Sequence, residues 1–179
     1  MSKLVEKLKS AVWVRQIVRL DRQVSDAIEK GLGGNKTVVW GVQKLVRAFE
    51  LLFGFVALPA MLVYSKTRWY GVAVLVGVLV LEKWVKKFFA RYRPYFYDNV
   101  VKSKVTNYSF PSTHSFVAGV ATYVALQFIS SWWLRALVVA LGLFIPFSRV
   151  ILNVHFVLDV LVGYGLGILV AALIAWFQV

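Results

Sequence analysis

Residues 155–178 read HFVLDVLVGYGLGILVAALIAWFQ. After His155 the run carries a single charged side chain, Asp159, and it exceeds the roughly 20 apolar residues that an α-helix needs to cross the hydrocarbon core of a bilayer. It reads as a membrane-spanning helix. Gly163 and Gly167, four apart, form a small-xxx-small pair that lets a neighbouring helix backbone approach closely. The Gly163-x-Gly165-x-Gly167 string is not a nucleotide loop, because it lies within an apolar helix and follows no strand.

The rest of the chain has the same character. Of its 179 residues, 60% are hydrophobic and 16% charged, and mean hydropathy is +0.71, whereas a soluble domain is about 45–50% apolar and about 25% charged. Four further spans are expected, near 46–64, 69–89, 112–131 and 132–147. Pro59 inside the first is tolerated because neighbouring helices can satisfy the freed carbonyl. The short turns at Lys66–Arg68 and Ser130–Trp133 force antiparallel neighbours and set Lys66, Arg68 and Arg135 on one membrane face. The longer connections, 90–111 and 148–154, lie on the other. The expectation is an all-α polytopic bundle of about five transmembrane helices, forming one membrane-embedded domain over 1–179. Chemistry must then come from helix ends and short loops. With no cysteine, disulfide frameworks, thiolate metal sites and cysteine nucleophiles are excluded.

Residues 1–34 are different. Lys7, Lys9, Arg15, Arg19 and Arg22 interrupt every candidate span, and from Trp13 to Ile28 the pattern is that of an amphipathic helix. Trp13, Val14, Ile17, Leu20, Val24 and Ile28 share one face, and Arg15, Arg19, Arg22, Asp26 and Glu29 the other. Two readings fit: a helix lying in the headgroup layer, or one docked on the bundle by the same apolar stripe. A break is expected near Ser10–Val12, and the Gly31, Gly33, Gly34, Asn35 cluster ends the element.

A formal net charge of +13, from 21 Lys and Arg against 8 Asp and Glu, on a chain too apolar to present a soluble basic face, favours anionic lipid headgroups or a phosphorylated lipid over nucleic acid. Ionisable groups at the membrane edge are functional candidates because placing them there is costly. His155 and Asp159 are four apart, so on a helix the carboxylate can hold one ring nitrogen and leave the other for attack; a structural pair has the same spacing. Ser112, Thr113 and His114 follow Pro111, which is favoured at a first helical position, and such a helix end can bind an anion or simply be capped by its hydroxyls. Lys86 and Arg93, seven apart, are expected on one helical face, with Arg149 as a third cation; Lys83, Lys87 and Arg91 read as headgroup anchors. Three cations, a helix end and two imidazoles describe a phosphate or diphosphate site. No carboxylate or His/Cys set suited to a metal accompanies them in the sequence, so the expectation is no cofactor, with the cations neutralising phosphate charge.

Lys86-x6-Arg93-Pro94, Pro111-Ser112-Thr113-His114 and Ser148-Arg149-x5-His155-x3-Asp159 together resemble the three-part signature of the type 2 phosphatidic acid phosphatase superfamily, which also contains bacterial acid phosphatases and vanadium haloperoxidases. The signature occupies 86–159, with one departure: Thr113 stands where the family usually has glycine. The resemblance implies a helical bundle in which His155 is the nucleophile that forms a phosphohistidine and Asp159 orients it. It further implies that His114 protonates the leaving oxygen and then activates water, and that Lys86, Arg93, Arg149, Ser112 and the Thr113 amide bind phosphoryl oxygens. The implied substrates are phosphorylated membrane lipids: lipid A phosphate or undecaprenyl diphosphate first, phosphatidylglycerol phosphate or phosphatidic acid as alternatives. A non-catalytic lipid-binding or transport protein reusing the site is the reading of another class, although a binder has no need of the His155 and Asp159 pair.

Orientation is in conflict. All Lys and Arg except Lys66, Arg68 and Arg135 fall on the face of the signature loops, which the positive-inside rule assigns to the cytoplasm. The bacterial membrane proteins that the chain resembles mostly work on the outer side of the inner membrane, and the expectation follows them.

Overall fold

A computed structural model describes residues 12–52, 80, 82–94 and 108–176. Helix α1 (Val12–Ile28) passes into a wider π turn (Glu29–Gly33), and α2 (Lys36–Leu52) follows. Next come a helical stretch at 82–89, here α3, then α4 (Thr113–Gln127), α5 (Trp132–Ile151) and α6 (Val157–Trp176). Among the described residues there is no strand. The chain is an all-helical membrane bundle, in which α5 and α6 are the described helices long and apolar enough to cross a bilayer. At 20 residues each they are about 30 Å long, the thickness of the hydrocarbon core.

The expected break near Ser10–Val12 and most of the spans at 46–64 and 69–89 lie outside the described residues. Three boundaries differ from the sequence reading. α2 starts at Lys36 rather than near 46, because Asn35 caps it, its side chain accepting from the Thr37 and Val38 amides at 2.9 and 3.3 Å. α4 stops at Gln127, short of 131. α5 continues through Pro146 to Ile151, a proline that bundle helices accommodate.

Close backbone approach fixes α4 on α6. A Cβ on Gly163 would lie 2.5 Å from the Ser112 carbonyl oxygen, and one on Gly167 or Gly119 would collide with the backbone of Phe116 or Tyr164 respectively. The small-residue pair read from the sequence is therefore the α4–α6 crossing, whereas Gly165 faces open space. Phe116, Val120 and Ala171 pack beside it. Further along, the Tyr164 hydroxyl donates to Thr122 Oγ1 at 3.1 Å, and α5 closes over this pair at Gly142. Val42, Val46 and Ile151 join α2 to α5. Leu161, Leu166, Leu169 and Leu173 point outward from α6, while Trp132 and Trp176 stand exposed at the ends of α5 and α6 remote from the 152–156 turn, as aromatic anchors at a membrane interface do.

Helix α1 docks by an unexpected face. Among its residues with described side chains Asp21 and Ser25 are buried, and Ile17, Leu20 and Val24 are exposed. The helix is docked on the bundle, as one of the two readings had it, but through polar side chains; of the apolar stripe, Ile28 packs against the Val42, Val46 and Ile151 cluster.

Candidate active site

The 152–156 turn places His155. Helix α5 ends in a Schellman motif, with the Val154 amide donating to the Arg149 carbonyl at 3.0 Å and the Asn153 amide to the Val150 carbonyl at 2.9 Å. Asn153 takes the left-handed conformation the motif requires, φ 55°, which asparagine tolerates better than most residues. The Arg149 carbonyl also accepts from the His155 amide at 3.3 Å, so the last turn of α5 fixes the backbone of the histidine.

Asp159 is fixed just as closely. It is fully buried in the first turn of α6, and its Oδ2 accepts from the Phe156 amide at 3.0 Å, the reciprocal half of a capping box. The same Oδ2 faces His155 Nδ1 at 3.7 Å. That separation exceeds a hydrogen bond, though active-site contacts of this kind tighten when substrate binds. Burial pushes the imidazole below its ordinary pKa of 6.5; the Asp159 carboxylate acts in the opposite direction, and the charges of Arg93 and Lys86 add to the lowering. The ring is thus held neutral near pH 7, the form that has a lone pair to donate.

Ser112 caps α4, its side chain accepting from the Ser115 amide at 3.4 Å, and Thr113 is the first helical residue. Pro111 therefore precedes the cap and does not open the helix as the sequence suggested. The Ser112 amide donates to the Asp159 carbonyl at 3.0 Å, which ties the start of α4 to the first turn of α6. The amide and carbonyl of this buried serine are engaged in structure, and its hydroxyl also accepts from the Ser115 hydroxyl at 3.0 Å. His114, in the first turn of α4, is exposed.

Lys86 and Arg93 do not share a helical face. α3 ends at 89, Ala90 adopts φ 45°, and 91–93 run irregularly. The expectation assumed a helix continuing through the Arg-rich segment, and the left-handed residue breaks it. Both cations nevertheless act on His155. Lys86 donates to Thr113 Oγ1 at 2.8 Å and pairs with Glu82 at 2.7 Å, and the Thr113 hydroxyl donates to Glu82. The threonine that departs from the family glycine thus closes a triangle with the proposed phosphate-binding lysine.

Sequence reading missed Asp21, Ser25 and Glu82, and it assigned Arg91 to headgroup anchoring. Arg91 instead points inward, 2.6 Å from Asp159 Oδ1 and 2.5 Å from Asp21 Oδ2. Exposed Lys83 and Lys87 fit the anchoring role. The available signal was Asp21 and Ser25 at helical spacing on a flank of α1 that is neither fully basic nor apolar. Among the described residues no group of three or more His, Cys, Asp or Glu is arranged to hold a metal.

The family model of the PAP2 superfamily matches residues 66–179. An undecaprenyl-diphosphatase of Sulfolobus acidocaldarius is 30% identical over 113 residues, which cover 60% of this chain and 54% of that protein; the chain thus spans about half the length of that relative. A phosphatidylglycerophosphatase B of Bacillus subtilis is 32% identical over 153 residues, 79% of this chain and 74% of that one. The crystal structure of a transmembrane PAP2-type phosphatidylglycerolphosphate phosphatase from Bacillus subtilis superposes with a TM-score of 0.69 at 24% identity, covering 97% of this chain and 90% of its own. Over its matched region and through its fold, the chain belongs to the PAP2 superfamily.

Proposed function

We propose that this single-domain chain is a metal-independent membrane phosphatase of lipid phosphates or diphosphates that acts through a phosphohistidine on His155. The observation that carries the reading is a buried imidazole turned toward the equally buried Asp159 carboxylate, 3.7 Å away. With Nδ1 on the carboxylate side, Nε2 attacks phosphorus. The N–P bond forms as the P–O bond to the lipid breaks, and His114 gives its proton to the departing oxygen. Asp159 stabilises the positive charge that develops on His155. Water then loses a proton to His114 and attacks phosphorus, the N–P bond breaks, and phosphate leaves. Lys86, Arg93 and Arg149 hold the non-bridging oxygens throughout. Ser112, engaged as a cap, contributes by holding the Thr113 amide at the helix end.

The relatives' printed activities support a phosphorylated lipid as substrate. Undecaprenyl diphosphate and lipid A phosphate lead; the Bacillus relative, aligned over more of the chain, favours phosphatidylglycerol phosphate as the second reading, with phosphatidic acid beside it. The cellular reading is a multi-pass protein of a bacterial inner membrane with its site on the outer side. The test is release of phosphate by purified protein in EDTA from these four lipids. Wild type is expected to turn over at least one, and His155→Ala and His114→Ala none. Undiminished release by His155→Ala contradicts the nucleophile assignment.

A further inference from the structure

We propose that Asp21 and Arg91 are positioning residues for phosphoryl transfer: helix α1, acting through the Arg91 guanidinium, holds the Asp159 carboxylate against His155 and governs how much of its charge the imidazole receives. The proposal rests on the phosphohistidine reading above. Neither residue belongs to the three-part signature. Arg91 occupies one of the unspecified positions between Lys86 and Arg93, and Asp21 lies outside the 66–179 match.

The contacts form one chain. Arg91 Nη1 donates to Asp159 Oδ1 at 2.6 Å and Nη2 to Asp21 Oδ2 at 2.5 Å. Asp159 Oδ2 is then left for the Phe156 amide and His155. The guanidinium lies over the Phe156 ring, 4.1 Å from its centroid, and the Arg91 carbonyl accepts from the Ser109 amide at 2.8 Å, so the arginine is fixed at both ends. The other oxygen of Asp21 accepts from the Leu158 amide at 2.8 Å, and Ser25 Oγ accepts from the Val157 amide at 3.0 Å while donating to the Asp21 carbonyl at 2.7 Å. Two amides at the N-terminus of α6, which that helix cannot satisfy itself, are thus capped by α1.

Charge explains why two carboxylates share one arginine. Asp159 has no solvent access, and an unpaired carboxylate there is costly. A guanidinium devoted to it alone cancels its charge, and a cancelled carboxylate does little for an imidazolium. Asp21, with its side chain 2% exposed, takes part of the guanidinium, so Asp159 is tolerated and still polarises His155. A merely structural bridge would hold the fold without affecting turnover by folded protein.

The experiment uses the full chain in detergent with a lipid phosphate that wild type hydrolyses. Asp21→Asn keeps the shape and the Leu158 acceptor but loses the charge. Its kcat is expected to fall about 10- to 100-fold, the range seen when hydrogen-bond partners that orient metal-ligating side chains are removed, with KM within about twofold and cooperative unfolding retained. Asp21→Glu, which restores the charge, should recover part of the loss, and Asp26→Asn, at a half-exposed acid on the same helix, should match wild type. Should Asp21→Asn fail to fold, Arg91→Lys is read instead, since a lysine cannot fork between two carboxylates; the same fall in kcat at unchanged KM is expected. Wild-type kcat in whichever variant is read, or equal losses in the Asn and Glu variants, overturns the proposal. An inactive wild type or an active His155→Ala protein overturns the phosphohistidine reading itself, a result distinguishable from either.

Discussion

At the scale of single residues, the sequence was most informative where chemistry demands particular residue types. Two histidines, three cations and one aspartate at characteristic spacing stood out because few intramembrane positions carry such groups. Arg91 and Asp21 were not, because a long basic side chain looks alike whether it snorkels to headgroups or turns inward, and only tertiary packing decides. Two consequences can be measured here. The lowered pKa of buried His155 means that the unfolded chain takes up a proton first as pH falls. Its contribution to stability is complete above pH 6.5 and is lost progressively below it, as the folded value is approached. The stability difference between wild type and His155→Gln, followed by thermal unfolding in detergent, should therefore shift against wild type from pH 7.5 to about pH 5; a pH-independent difference contradicts the lowered value. Thr113→Val removes the hydroxyl that contacts both Lys86 and Glu82. A hydrogen bond worth about 1 kcal/mol corresponds to roughly a fivefold rise in KM for the lipid phosphate, with a smaller change in kcat; an unchanged KM shows that Lys86 needs no such support.

At the scale of elements, the start of α6 was legible to within two residues, because its apolar run opens with a polar turn. The start of α2 and the ends of α4 and α5 were not, nor was the left-handed Ala90 that separates Lys86 from Arg93, since caps and left-handed residues are decided by local geometry that leaves a weak mark on composition. The glycines of α6 offer a paired test. Gly163→Ala puts a methyl against the Ser112 carbonyl, a backbone atom that cannot give way, and should cost about 1–3 kcal/mol together with turnover, because Ser112 and Asp159 are hydrogen-bonded across this crossing. Gly165→Ala meets nothing and should be neutral or stabilising by about 0.5–1 kcal/mol. Equal melting temperatures for the two variants contradict the close α4–α6 approach.

At the scale of the whole molecule, a very apolar chain with a charge of +13 resolves into a helical bundle with aromatic anchors at one end and the His155 turn, Arg91, Arg93, Lys86 and the polar seat of α1 at the other. Composition and hydropathy made the bundle legible, but they cannot give its orientation, because cations recruited to a site count equally in the positive-inside rule. The outward reading predicts that an impermeant thiol reagent labels Lys104→Cys but not Arg135→Cys in intact cells; the reverse pattern puts the site in the cytoplasm. The central claim is narrower than orientation: phosphate passes through His155. Its most direct test is rapid quenching of wild-type protein during turnover of a lipid radiolabelled at phosphorus. The account predicts protein-bound label that is acid-labile and alkali-stable, that maps to His155, and that is absent from His155→Ala. Label retained in that variant, or mapped to another residue, contradicts it.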